Sequence, residues 1–345
     1  MKKIFWIVLI VLVVGGGVFA FTAYKQIFGA GIDLHGEEEW VLYLDNDATY
    51  EDFLDSLKTH NVLKYESTFL RLANYKDLNE NMKPGRYVIV NGMSNNTLVN
   101  MMRSGNQSPV KITFNNIRTK EDFVEVVAPK MAFDAEELLA ALNDDSIAAG
   151  YQLTTENIMV LFIPNTYEVY WNLTPKGFID RMHEEYLKFW NEDRTSKAEA
   201  IGYSPVEISI LASVVGAETN KVDEMPKIAG VYINRLHKGW KMEACPTVIY
   251  AMGDFTITRL LNRHLEYESD YNTYIHPGLP PGPINLPSPD CIDAVLNYEH
   301  HDYMFFSAKE DFSGYHNFAR TNAEHEANAR KYQAAYREWK RNQQD

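Results

Sequence analysis

Ser204-Pro205-Val206-Glu207-Ile208-Ser209-Ile210-Leu211-Ala212-Ser213-Val214-Val215-Gly216-Ala217-Glu218-Thr219-Asn220 predicts an apolar helix that carries a carboxylate near its last turn. Ser204 is a good N-cap, Pro205 fits the first helical position and Glu207 stands three residues after the cap, the pattern of a capping box. At about 100° per residue, Leu211, Val214 and Val215 fall on the same face as Glu218. A carboxyl aimed along that side loses hydration when charged, which raises its pKa. An acid still protonated near neutral pH can act as a general acid. The competing reading is a Glu at a frayed helix end, open to water, and the helix alone does not separate the two.

The 345 residues leave room for two domains beyond a membrane anchor. With 46% hydrophobic and 13% aromatic residues, global disorder is excluded. A net charge of -14 argues against nucleic acid as a partner. It leaves carbohydrate open, since sugars are held by aromatic faces and directed hydrogen bonds, and 21 tyrosines supply such surfaces. Cys245 and Cys291 are too few for a disulfide scaffold; a single bridge between them stays open, and no zinc spacing is present.

Lys2 and Lys3 precede residues 4–24, which hold no charged side chain until Lys25. That run is long enough to cross a bilayer as a helix, and lysines before it place the N-terminus in the cytoplasm and the rest of the chain outside. The competing reading is a cleaved signal peptide, but no clean A-x-A site follows. No Cys near the end of the run supports a lipoprotein form.

Residues 25–37 read as a tether. A strand at 41–44, a helix opening at 47–53 with Phe53, Leu54 and Leu57 as its stripe, a helix at 67–73, a strand at 86–90 and a helix from Ser94 to a stop at Gly105 suggest a small α+β module. Beyond it, 110–114 reads as a strand, 120–129 and 134–142 as helices, 158–162 as a strand or its end, and 175–191 as a helix. Residues 192–199 read as a charged linker into the opening helix. A second helix should start at Asp223-Glu224-Met225-Pro226, carry Ile228, Val231, Tyr232 and Leu236, and close at Gly239. Irregular chain through 245–250 precedes an expected helix at about 258–262. Five Gly or Pro residues within 278–284 fix an extended loop, suited either to a preorganised groove or to a structural crossing. A helix at 290–298, strands at 303–306 (buried) and 316–318, and a polar helix at 322–343 complete the chain.

Several separated blocks resemble the YceG-like (MltG) family of endolytic murein transglycosylases, and the resemblance covers essentially the whole chain. They are Ala212-Ser213-Val214-Val215 with Glu218-Thr219, then Val231-Tyr232-Ile233-Asn234-Arg235-Leu236 and Pro246-Thr247-Val248-Ile249-Tyr250. Tyr271-Asn272-Thr273-Tyr274, Gly278-Leu279-Pro280-Pro281-Gly282-Pro283-Ile284 and His316-Asn317-Phe318 follow in the same order. The resemblance implies an α+β fold with an anchor at 1–24, a tether at 25–37, a LysM-like glycan-binding module at 38–106 and a catalytic domain at 107–345. Gly85-Arg86-Tyr87 and Gly92-Met93-Ser94 match that module's usual signposts. Glu218 is implied as the catalytic acid/base. The candidate substrate-contacting residues are Tyr167, Asn234, Thr247, Tyr250, Tyr271, Asn272, Thr273, Tyr274, Pro281 and His316. Two departures stand out: the family commonly has an acid at the position of Gly216 and an Asp where Cys245 stands.

The chemistry so implied is cleavage between N-acetylmuramic acid and N-acetylglucosamine inside peptidoglycan strands, leaving a 1,6-anhydro end and thereby setting strand length or terminating elongation. No cofactor or metal is expected, and peptidoglycan synthases are candidate partners. Hydrolysis is the nearest rival, but it normally pairs two carboxyls about 5–9.5 Å apart. Glu207 lies roughly 16 Å along the helix from Glu218 and cannot be that partner, whereas Asp223, Glu224 and Glu243 are not excluded. A metal site at His300-His301-Asp302 with His316 and His325 is disfavoured, since adjacent histidines point apart. A third reading is a membrane-anchored peptidoglycan-binding protein without catalysis.

Overall fold

The apolar N-terminal run forms one helix, α1 (Lys2–Phe28), in a computed structural model that describes residues 2–257 and 259–343. Its mean hydropathy reaches 2.8 and none of that stretch is buried in the chain. At 27 residues it is about 40 Å long, enough for a bilayer core of about 30 Å. The remaining contacts divide into two compact units: residues up to 112 with 130–133 and 168–174, and the rest.

In the first unit, β1 (Glu39–Leu44) pairs antiparallel with β2 (Gly85–Val90), from Glu39 opposite Val90 to Leu44 opposite Gly85. Between them run α2 (Tyr50–Thr59), α3 (Glu66–Tyr75) and the short α4 (Leu78–Asn81); α5 (Asn95–Ser104) follows. The expected strand–helix–helix–strand order is present, with α4 inserted. Thr49 and Asp52 close a capping box on α2, and Gly105 ends α5 at φ 69°. Phe53, Leu57, Phe69, Tyr87, Ile89 and Leu98 form the core over which the strand pair lies.

A separate strand pair joins β3 (Val110–Phe114) to β4 (Asn165–Val169). Helices α6 (Lys120–Val127), α7 (Ala135–Leu142) and α8 (Asp145–Gly150) lie between them in the chain. The strand expected at 158–162 is instead a buried 3-10 turn, Ile158–Leu161, and the strand begins at Asn165. Four consecutive buried apolar side chains fit either geometry, so periodicity could not choose.

After α9 (Pro175–Phe189), the expected linker is helix α10 (Glu192–Ile201), capped by Asn191 and stopped by Gly202 at φ 95°. Its charges misled the reading, but Arg194 grips Asp293 through two bonds of 2.8 and 3.0 Å, which ties this polar helix down. Next come α11 (Pro205–Glu218), with the expected Ser204/Glu207 capping box, and α12 (Met225–His237). Residues 245–250, expected to be irregular, lie in helix α13 (Cys245–Met252), which has Pro246 in its first turn and Gly253 past its end at φ 65°. Of the helix expected at about 258–262, Thr258 lies outside the described residues; the helix observed there is the short α14 (Asn262–Leu265). The chain ends with α15 (Pro289–Leu296), the antiparallel pair β5 (Phe305–Ala308) and β6 (His316–Ala319), and α16 (Asn322–Asn342). The first of these strands, expected buried, is half-buried along its length.

Helix α11 has no polar face in its centre. Every residue from 208 to 215 is buried, with α10, α12, α13 and α15 packed around it. The stripe read from sequence was therefore too narrow: a helix buried on every side, with Ser209 and Ser213 bonded back to its own carbonyls, belongs at the middle of its unit. Gly216 sits where a Cβ would lie 2.7 Å from Cys291 Sγ, so α11 and α15 approach closely at this turn. Both cysteines are free thiols.

Candidate active site

Glu218 is the last residue of α11, and Thr219 leaves the helix in extended conformation. The residue as a whole is half-buried, yet its carboxyl is enclosed by protein, and that burial pushes its pKa up. Three neighbours oppose the shift: Tyr232, by a hydrogen bond, and the charges of His316 and Arg235. The Tyr232 hydroxyl donates to Glu218 Oε1 at 2.6 Å. Among the described residues Oε2 has no hydrogen-bond partner, and it is not fully sealed by protein. Burial and the adjacent carboxyl hold the Tyr232 phenol far above its usual range, which keeps it a donor.

Helix α12 supplies the wall behind the acid. Its apolar stripe buries Tyr232 and Ile228, while Arg235, also buried, donates to Met304 O at 2.7 Å and Met242 O at 2.6 Å and pairs with Glu243 at 3.2 Å. The cap residue Glu224, buried, accepts from the His316 backbone N–H at 2.8 Å and lies 2.7 Å from His316 Nδ1. This bond ties Nδ1 to Glu224 and leaves Nε2 as the free ring nitrogen. Phe306 stands edge-on to both Tyr232 (5.8 Å) and His316 (5.3 Å), linking the two in one aromatic cluster.

All three acids that sequence left open as a second carboxylate are engaged elsewhere: Glu224 with His316, Glu243 with Arg235, and Asp223 with the Tyr315 hydroxyl at 3.1 Å. The histidines considered as metal ligands have separate partners as well. His301 Nε2 lies 2.8 Å from Lys227 O, and its Nδ1 accepts from Tyr303 N–H at 3.1 Å. Among the described residues no three His, Cys, Asp or Glu side chains gather as metal ligands.

A second group of side chains near the acid comes from α13 and the loop after α14. The Tyr274 hydroxyl lies 3.2 Å from Cys245 Sγ, and both groups feel the Glu218 charge. Desolvation raises the Cys245 thiol pKa even though the residue keeps an exposed surface, so this neighbour is a neutral thiol. Thr247, Asn272 and Thr273 are buried, with their polar atoms bonded within the protein. The Thr247 and Thr273 hydroxyls meet at 2.9 Å, and Ala244 N–H donates to Thr273 at 3.0 Å. Asn272 Nδ2 donates to Leu265 O and Tyr267 O, while its oxygen accepts from Tyr274 N–H. Asn234 likewise bonds the carbonyls of His301 and Tyr303, and Tyr167, its phenol pushed up to about 12 by burial, donates to Ile163 O. The polar groups of these five side chains named here are tied to neighbouring backbone and side chains.

Tyr250 and Tyr271 are different. Half-buried, with ring centroids 4.9 Å apart, they form an aromatic surface; Tyr271 also donates to Glu156 at 3.0 Å. Half-buried Pro281 lies in the Gly/Pro loop, which is pinned to α11: Ile284 N–H donates to Ser213 Oγ at 3.0 Å and Asn285 to Ser213 O at 2.8 Å. Gly282 permits this path, because a Cβ there would fall 2.0 Å from Glu156 O. A cleft of about 620 Å³ flanks the end of α11 between Ala217, Asn220, Tyr250 and Asn285. The carboxyl of Glu218 is not part of its lining, so the cleft adjoins the acid rather than containing it.

Sequence reading placed Tyr232 as packing and Glu224 only as a possible second acid. It did not single out Arg235 or Phe306. The apolar spacing that marked α12 gave no sign that one of its core side chains carried a hydroxyl directed at Glu218.

The profile of the YceG-like family matches residues 42–331. The endolytic murein transglycosylase of Bacillus subtilis is 27% identical over 293 residues, covering 80% of this chain and 80% of its own length. That of Streptococcus pneumoniae (strain R6) is 24% identical over 338 residues, and the match takes in 88% of this chain but 60% of the relative. The crystal structure of a YceG-like protein from Listeria monocytogenes has the same fold, with a TM-score of 0.54 and 24% identity over 84% of this chain and 98% of that one. With the match extending over most of the sequence and both the α11–α12 acid site and its loops inside it, the chain belongs to the YceG-like family.

Proposed function

We propose that the protein is a membrane-anchored endolytic murein transglycosylase in which Glu218 is first acid, then base. The observation that carries this reading is a single enclosed carboxyl with a raised pKa, held at one oxygen by Tyr232 and not fully sealed at the other. Glu218 donates its proton to the oxygen linking muramic acid C1 to the next sugar, and the C1–O bond breaks. The carboxylate then accepts the proton of the muramic acid 6-hydroxyl as that oxygen bonds to C1. Proton and bonds balance without water, and the acid is regenerated as it began. The names of the Bacillus and Streptococcus relatives support the same reaction.

The engagement of Asp223, Glu224 and Glu243 with other groups favours one-carboxyl chemistry over a two-carboxyl hydrolase. Tyr274, His316 Nε2 and the Tyr250–Tyr271 surface are the groups placed to meet sugar, with Pro281 on the rim. Helix α1 anchors the chain with its N-terminus in the cytoplasm and both units outside, and the first unit is a LysM-like glycan holder. Full-length protein in detergent, incubated with purified sacculi, should release anhydro-ended muropeptides, and Glu218→Gln should release none while staying folded, melting no lower than the wild type at neutral pH. Retained activity in that variant, or reducing ends from the wild type, would end the proposal.

A further inference from the structure

The cleft beside α11 is chemically unlike the rest of the chain. The net charge is -14, yet no Asp or Glu lines the cleft, and its charged member is Arg118. The exposed Arg118 guanidinium lies 4.9 Å from the Phe255 ring centroid, a stacking that holds the planar fork in place, and it has no carboxylate partner among the described residues. Asn115, Asn116 and Asn220 also line the cleft, and their side-chain amides make no hydrogen bond among the described residues. Apolar wall comes from Met225, Ile249 and Leu286. Ala217 and Asn220, on either side of Glu218 in the chain, set this cleft next to the acid.

Taking the proposed reaction as given, we infer that this cleft receives the carboxylate-bearing peptide branch of the muramic acid, with Arg118 pairing the carboxylate. A neutral sugar hydroxyl can accept from a guanidinium but leaves its charge unmatched, whereas a carboxylate matches both the charge and the fork through two parallel bonds. Unpaired amides offer both donors and acceptors, as peptide groups do. A phosphate offers acceptors alone and would leave the amide oxygens unmatched. The apolar wall suits the alkyl side chains of a short peptide. Arg118 is therefore a specificity residue that selects peptide-bearing, charged strands.

The test compares cleavage of peptide-bearing glycan with the same glycan after its peptide carboxylates have been converted to amides. Wild type should favour the acid form by about tenfold or more in kcat/KM, the effect of one charge-assisted pair. Arg118→Ala should lose that preference by slowing on the acid form alone, and Arg118→Lys should restore part of it. No preference in the wild type, a preference kept in Arg118→Ala, or equal slowing on both substrates would overturn the inference. If the wild type makes no anhydro product from either glycan, the proposed reaction fails on its own. Calorimetry with a soluble muramyl peptide, acid against amide, then decides the cleft separately: charge-dependent binding that Arg118→Ala abolishes supports it, and charge-independent binding or none overturns it.

Discussion

Tyr232→Phe isolates the contact that holds the acid. The ring is buried and stands edge-on to Phe306, so the substitution removes one hydroxyl and leaves the packing in place. The lost bond is the 2.6 Å contact to Glu218 Oε1, which favours the carboxylate and so opposes the burial that raises the pKa. A hydrogen bond to a charged group contributes about 1.5–3 kcal/mol. If about half the carboxylate charge has developed when the glycosidic oxygen is protonated, about half that energy is lost from the barrier. The maximal rate then falls roughly four- to thirteenfold. Without the opposing bond the carboxyl titrates higher, so the alkaline limb of the pH–rate profile moves up. The assay is anhydro-muropeptide release from sacculi across pH, with thermal unfolding as the fold control. An alkaline limb that stays in place or moves down would refute the assignment of Tyr232 as the partner of the catalytic acid.

Burial raises the Glu218 pKa, so the folded state binds a proton more tightly than the unfolded chain does; Glu218 therefore stabilises the fold below the ordinary Glu pKa, and that contribution is lost as pH rises through the folded value. Glu218→Gln should consequently melt above the wild type at neutral pH and lose this advantage near pH ~4, and a neutral-pH melt below the wild type would contradict the burial. Thr273→Val removes a hydroxyl that serves both Thr247 and Ala244; it should cost about 1–3 kcal/mol in denaturant unfolding and lower kcat by displacing Tyr274. Gly282→Ala forces a Cβ into Glu156 O and should destabilise by about 1–3 kcal/mol or more, whereas Gly239→Ala, with open space around it but φ 70°, should cost about 1 kcal/mol. Glu224→Gln should leave the fold nearly as stable and reduce kcat with a changed pH profile, because it loosens the tie on His316 Nδ1; an unchanged profile would make the pair purely structural.

The parts of the fold that sequence displayed are those governed by neighbours along the chain. The Ser204/Glu207 capping box marked the start of α11, and Gly105 the end of α5, because both signals act within one helical turn. Helix α10 carried the same kind of signals in Asn191 and Gly202, but its charged surface outweighed them, and the Arg194–Asp293 pair that secures it spans 99 positions. Helix α13 was hidden by Pro246 and the β-branched Thr247-Val248-Ile249, residues that suit a first turn and a buried helix face once neighbours pack on them. The position of Glu218 at the end of an apolar helix was legible, but the enclosure of its carboxyl was not. The groups around it were not: Tyr232 is 14 positions away and His316 bonds Glu224 across 92, distances over which a linear pattern carries no angle. Thr247, Asn272 and Thr273 stood out by type, but the partners of their polar atoms, such as the Thr247–Thr273 contact across 26 positions, were not legible.

The central claim is that one enclosed carboxyl lets a sugar hydroxyl displace its own chain, with no water entering the product. Mass spectrometry of muropeptides released from sacculi by the purified full-length protein reads this directly. The expected fragments are one water lighter than their hydrolysed counterparts, produced by the wild type and absent with Glu218→Gln. Fragments of full hydrolysed mass, bearing reducing muramic acid ends from the first time point, would contradict it.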